Sequence, residues 1–164
     1  MTTSKKFSIW LMKSEPSVFS FEDLVRAPGR RTCWEGVRNY QARNFLRDSI
    51  KLGDRVLFYH SNTEEPAVMG VAEVVREGYE DPAALDPKSP YFDEKAKAKG
   101  QNPWFMVDVK ALLRFAEPVT RARLAAEPRL KNMMVLKRGA RLSVQPVTLP
   151  EFETILELGA PKKI

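Results

Sequence analysis

Hydrophobic and polar positions along the chain change period several times, and each change predicts an element. Residues 7–12 form a nearly continuous apolar run, the pattern of a strand buried on both faces. Ser20, with Asp23 three positions on, has the spacing of a capping box, so a short helix is predicted from there. Asn39 is placed to cap a second helix running to about Ile50. Ala42, Phe45, Leu46 and Ile50 fall on one face of it, Arg43 and Arg47 on another. Leu52-Gly53-Asp54 supplies the turn that follows. Arg55–His60 reads as a strand, residues 61–66 as a polar loop, and residues 68–76 as a further strand. Gly70 inside that strand predicts a bulge or a close backbone approach. Residues 81–100 hold Pro82, Pro87, Pro90 and then a charged run, and read as a long loop. Residues 104–113 alternate, with Phe105, Val107, Val109 and Ala111 opposite Asp108 and Lys110, which predicts a half-buried strand. Residues 120–127 read as helix and 141–147 as a last strand. Thr148 and Glu151 form a second capping box, opening a final helix that Gly159 closes.

Several strands, helices that do not alternate regularly with them and short connections predict an α+β fold. Its expected form is a small, strongly bent sheet or barrel with helices packed on it, not a Rossmann fold. A length of 164 residues with no repeat or linker fits one domain, residues 1–164. The hydrophobic fraction of 43% is that of a globular chain. Lys and Arg number 27 against 21 Asp and Glu, a net charge of +6. That surplus favours a polyanionic partner, nucleic acid first, beside the plainer reading of a soluble protein that is simply basic. Cys33 is the lone cysteine, so no intrachain disulfide forms and a reducing compartment fits. One cysteine and one histidine do not make a Cys/His zinc site. The N-terminal apolar run is too short for a signal peptide, closing at Lys13 and Glu15, and no segment approaches the roughly 20 apolar residues of a membrane span. The expectation is a monomer, without cofactor, in the cytoplasm or, in a eukaryote, the nucleus.

Catalytic motifs are few. There is no phosphate-binding G-x-x-x-x-G-K-[ST] loop, no G-x-G-x-x-G and no G-x-S-x-G elbow. His60 belongs to a triad only if a serine and a carboxylate converge on it in space. Lys13-Ser14-Glu15 can host a lysine-assisted serine, although the polar end of a strand is the more ordinary reading. Binding motifs are richer. Trp10 and Trp104 read as core. Trp34 is followed at once by Glu35-Gly36-Val37-Arg38-Asn39, where Gly36 lets the backbone come close to a neighbour. An aromatic face beside backbone N–H groups at Gly36 and Val37 suits a planar heterocycle, stacking being worth roughly 1–3 kcal/mol. A packed Trp beside a tight turn is the alternative. His60-Ser61-Asn62 and Ser143-Val144-Gln145 offer neutral donors and acceptors, suited to the edge of a base. Phosphates would fall to Arg38, Arg43, Arg47, Lys88, Arg138 and Arg141, each of which singly fits a solvated face as well.

Taken in order, several blocks resemble the EVE domain: W-L-M-K-S-E-P from Trp10, W-E-G-V-R-N-Y-Q-A-R-N from Trp34, F-Y-H-S-N from Phe58, G-V-A-E-V from Gly70, D-P-K from Asp86, W-F-M-V-D-V from Trp104 and L-S-V-Q-P-V from Leu142. The resemblance implies a PUA-like fold, a small β-barrel with helices around it. EVE domains are similar to YTH domains, which read N6-methyladenosine in RNA through an aromatic cage. Carried over, Trp34 is one wall of the cage, Asn39 bonds a ring nitrogen, Lys13 or Ser14 lines the floor and Asn62 borders the mouth. The chain departs from the YTH order at the second wall, where Tyr91, Phe92 or Trp104 would serve. EVE domains are also regarded as readers of modified DNA bases such as 5-methylcytosine. The expected function is a non-catalytic reader of a modified base, a methylated cytosine or adenine, on DNA or RNA. Two alternatives stand beside it. One is a small-molecule hydrolase on the same scaffold, using Lys13, Ser14 and Glu35 or Glu73. The other is a PUA-type RNA-binding module that reads shape through its basic surface.

Overall fold

Strand β1 (Ile9–Ser14) lies inside the sheet, parallel to β3 (Arg55–His60) on one side and antiparallel to β6 (Val144–Val147) on the other. Its alternate side chains enter two different cores. Trp10 and Met12 pack with α1 (Phe21–Arg26) and α2 (Tyr40–Asn44), while Ile9 and Leu11 pack with α4 (Arg121–Ala126) and α5 (Leu149–Gly159). Both faces are covered, which is why the run is apolar throughout. The computed structural model describes residues 7–164; residues 1–6, the basic start of the run weighed above as a leader, lie outside them. The strand sits two residues later than the apolar run predicts. Its register with β3 carries the pairing on to Ser14 opposite His60, so Lys13 and Ser14 are its last rungs.

The remaining strands are β2 (Arg31–Cys33), β4 (Ala67–Glu80), β5 (Phe105–Thr120) and β7 (Pro161–Lys163). The sheet runs β2-β5-β4-β3-β1-β6, with β7 added to β5. Among the described residues the hydrogen-bonded path stays open between β2 and β6, so the fold is a mixed α+β sheet with short helices on both faces. Strands β4 and β5 are each longer than the alternation predicts. They pair along their length with repeated register shifts, and every bulge breaks the period of two. Gly70 sits at such a shift. A Cβ there would lie 2.4 Å from the Leu113 carbonyl oxygen and 2.5 Å from the Phe21 ring. Gly70→Ala is therefore expected to destabilise the fold by about 1–3 kcal/mol through overpacking, read as a lower urea midpoint at unchanged slope.

Both capping boxes form as the sequence predicts, at Ser20 and at Thr148. The second helix departs from the expectation. Asn39 caps it, but α2 gives way to a π-helical turn at Phe45–Ser49, closed by Ile50 N–H to Phe45 O. Residues 81–100 are not loop throughout. Asp81 caps a 3-10 turn, Pro82–Leu85, and Asp93 caps α3 (Glu94–Lys99), which Gly100 ends at φ 66°. The last strand starts only at Val144. Ala160, not Gly159, takes the left-handed conformation after α5; Gly159 instead makes room for the Phe115 ring. Asp108, expected on the polar side of its strand, is buried, where it accepts from the Tyr79 hydroxyl and from Arg31.

Candidate functional site

The C-terminal end of β1, the segment leaving β2, the loop after β3 and the segments around Tyr91 and Arg141 surround one cavity of about 1000 Å³. Trp34 forms part of its wall. Its N–H donates to Val107 O at 2.7 Å, and its ring meets Phe58 edge to face, with centroids 5.3 Å apart. Trp34 is only 8% exposed, packed into the core through Phe58 while also bordering the cavity.

Tyr91 lines the same space, and three groups hold it there. Arg38 donates from Nε and Nη2 to the Tyr91 carbonyl oxygen at 3.2 and 2.9 Å. Its Nη1 reaches Asp81 Oδ2 at 3.1 Å and Val37 O at 3.0 Å. Asp81 is fully buried and also accepts from Gly36 N–H and Ala83 N–H, both at 2.9 Å. Gly36 has φ 86°, and a Cβ on it would lie 2.7 Å from the Tyr91 ring. The glycine thus provides the space in which the tyrosine ring rests. Of the three residues weighed for a second aromatic wall, Tyr91 borders the cavity. Trp104 does not: its Nε1–H donates to Asp93 at 2.7 Å, and Tyr40 and Arg38 pack against its ring. Phe92 is half-buried away from it.

Lys13 and Ser14 line the cavity from the end of β1. Burial, with help from Arg121, lowers the Lys13 pKa from the usual lysine range. The Ser14 hydroxyl donates to Phe19 O at 2.5 Å. Ser61, Asn62, Ser143 and Arg141 also line it, as do Val37, Cys33 and Glu35. Burial, then the charge of Glu35, raises the Cys33 thiol, and burial, then the charge of Asp81, raises the Glu35 carboxyl.

Several residues singled out in the sequence are placed elsewhere. Asn39 is exposed, and its side-chain oxygen caps α2 through Ala42 N–H. His60 Nε2 accepts from Phe21 N–H at 3.0 Å, and burial lowers its pKa, so the ring ties α1 to β3 as a neutral acceptor. Gln145 is buried and donates to Leu142 O at 2.8 Å. The Gly36 N–H points to Asp81 and is not offered to the cavity. Of the six cationic residues weighed for phosphates, Arg38 does border the cavity, but its guanidinium is engaged by Tyr91 O, Val37 O and Asp81. Arg43 donates to Pro103 O, and Arg47 pairs with Asp48. Lys88 and Arg138 are exposed away from the lining, and Arg141 is at the cavity, exposed and outside every ion pair among the described residues. Sequence reasoning missed Val18, Phe19, Thr32 and Cys33 as lining groups. β2 is too short to show a period, and the turn after β1 carries no recognisable signal. Among the described residues no group of His, Cys, Asp and Glu is placed to hold a metal ion, and no helix is long and apolar enough to cross a membrane.

An open α+β sheet with an aromatic-walled cavity at the ends of its strands defines a pocket-bearing binding domain. Residues 8–158 match the EVE domain, and the chain belongs to that family. It is 44% identical over 171 residues to thymocyte nuclear protein 1 of Gallus gallus, covering 93% of this chain and 69% of that protein. A hypothetical protein from Leishmania major has a similar structure, with TM-score 0.87, 47% identity and 94% and 96% of the two chains covered. So has the human THYN1 protein, solved in complex with 5-methylcytosine containing DNA, with TM-score 0.84, 42% identity and 93% and 97% covered.

Proposed function

We propose that this protein is a non-catalytic reader of a modified nucleobase, which it takes out of the strand into the cavity between Trp34 and Tyr91. The carrying observation is that cavity itself, an aromatic-walled space in a chain 42% identical to a human protein solved with 5-methylcytosine containing DNA. Its volume of about 1000 Å³ is at the upper end of the roughly 300–1,000 Å³ typical of small-molecule sites, enough for a base with its sugar. In this reading Trp34 and Tyr91 are the walls, Lys13, Ser14, Ser61, Asn62 and Ser143 serve the polar edge, and Arg141 takes a phosphate. In this reading the open sheet is a variant of the PUA-like barrel whose last seam, between β2 and β6, is not hydrogen-bonded among the described residues, and one chain supplies the whole site.

Extruding a base costs a few kcal/mol, and stacking on an aromatic wall returns roughly 1–3. A buried methyl adds only about 0.8 kcal/mol, so methylation alone gives modest selectivity. A screen of oligonucleotides differing in one base, modified or unmodified, tests the reading by fluorescence anisotropy. At least one modified base is expected to bind several-fold tighter than its parent; equal affinity across the set would overturn it. No turnover is expected, because the Ser14 hydroxyl is already bonded to a backbone carbonyl and Glu73 lies on β4 beside Arg55. The basic rim makes a separate prediction. Arg141→Ala lowers the slope of log affinity against log salt by about 1, whereas Arg38→Lys leaves the slope unchanged, since Arg38 holds Tyr91 and no phosphate.

A further inference from the structure

Glu35 lines the cavity between Trp34 and Gly36, on backbone pinned at both ends. Trp34 N–H donates to Val107 O, and Gly36 N–H donates to Asp81. Among the described residues Glu35 takes part in none of the ion pairs. Nor does any recorded side-chain hydrogen bond near it include its carboxylate: Arg38 reaches Asp81, Val37 and Tyr91, and Lys13 reaches Ala140. Asp81 cannot serve it as a partner, being an acceptor whose oxygens are already engaged. Partial burial and then the Asp81 charge disfavour the Glu35 anion, while the Arg38 charge favours it. Glu35 is itself exposed, so its carboxylate stands solvated and without a protein partner among the described residues at the lining of a cavity meant, on the reading above, for part of a polyanion. Such a group helps only if the ligand brings N–H donors to it.

Base edges differ in this respect. Cytosine presents an exocyclic amine, a donor that Glu accepts from readily, whereas thymine presents a carbonyl oxygen at the same position. A carboxylate facing that oxygen would set two acceptors against each other. We propose that Glu35 is a specificity-determining residue that selects a cytosine-type base by accepting a hydrogen bond from its exocyclic amine and rejects the keto pyrimidine. Lys13, in the same cavity, supplies the complementary donor for the ring's acceptor side. This rests on the base-reader function proposed above and adds which face of the base is read.

The two pyrimidines 5-methylcytosine and thymine carry the same methyl group and differ at the edge in question, so they separate edge reading from methyl reading. Otherwise identical oligonucleotides carrying 5-methylcytosine, cytosine or thymine at one position are titrated against the full chain. The wild type is expected to prefer 5-methylcytosine over thymine by about tenfold or more, since a site built to hydrogen-bond a group strongly rejects an analogue that lacks it. Glu35→Gln brings that ratio close to one, because the amide can turn to donate to the thymine oxygen, and leaves the preference for 5-methylcytosine over cytosine in place. N4,N4-dimethylcytosine, which has no amine hydrogen, is expected to bind the unaltered protein about tenfold or more weakly than cytosine, and needs no variant. Equal wild-type affinity for 5-methylcytosine and thymine would overturn the assignment. So would a Glu35→Gln chain that keeps the full ratio, or unweakened binding of the dimethylated base. Failure of the base-reader function itself looks different: 5-methylcytosine, cytosine and thymine would then all bind alike, whereas failure of the Glu35 assignment alone leaves 5-methylcytosine and thymine equal and both tighter than cytosine.

Discussion

Trp34→Leu is expected to lose the preference for a modified over an unmodified base while the chain remains folded. Leucine keeps apolar volume against Phe58 but offers no flat face to a base. Alanine is the cruder test here, because Trp34 is 8% exposed and truncating a buried Trp costs about 3–5 kcal/mol. That loss is a large part of the 5–15 kcal/mol that holds a typical domain together. The leucine variant should lose less stability, and circular dichroism with a urea titration measures how much. Its affinity for the preferred oligonucleotide is expected to fall by the stacking contribution, about 1–3 kcal/mol, or roughly 5- to 150-fold. Affinity for the unmodified parent, held mainly by the strand and its phosphates, should fall much less. A folded leucine variant that retains the full preference would place the base elsewhere.

Much of the lining of this candidate site was legible in the sequence, and the reasons differ between residues. Trp34 stood out because a glycine followed two positions later, and the structure gives that pair a physical role through Tyr91. Lys13 and Ser14 stood out by themselves only as a lysine-assisted serine, and as base contacts only through resemblance. Their place at the cavity depends on β1 running two residues past its apolar stretch, which the register with β3 decides. Asn39 carried two readings at once, helix cap and base contact. Cap chemistry is local and uses the oxygen that a ring nitrogen's proton would otherwise need. Arg38 looked like a phosphate ligand because a charge in a sequence has no direction. Its partners, the Tyr91 carbonyl and Asp81, lie more than forty positions away and nothing nearby announces them. The long strands were underestimated for a similar reason, since bulges are set by neighbouring strands and erase the alternation from which strands are read. Residues 81–100 were overestimated as loop because their prolines were visible, whereas the Asp81 and Asp93 caps reveal themselves only when the turns they open are known.

The second large effect is expected at Gly36. Its φ of 86° is a conformation that costs an alanine about 1 kcal/mol or more, and the added methyl would lie 2.7 Å from the Tyr91 ring. Tyr91 cannot yield by moving its backbone, because Arg38 grips its carbonyl oxygen with two hydrogen bonds and is itself anchored on buried Asp81. The ring must therefore swing away, and that part of the cavity lining goes with it. Gly36→Ala is expected to lose tenfold or more in affinity for the preferred oligonucleotide, with a stability loss of only about 1–2 kcal/mol. Tyr91→Ala should lose a similar amount by removing the wall outright. The double variant distinguishes this account from simple backbone strain. If the glycine acts through the tyrosine, adding Gly36→Ala to Tyr91→Ala costs little further binding, a coupling of about 1 kcal/mol or more between neighbours that touch. If the two losses add in full, Gly36 shapes the site by a route other than Tyr91.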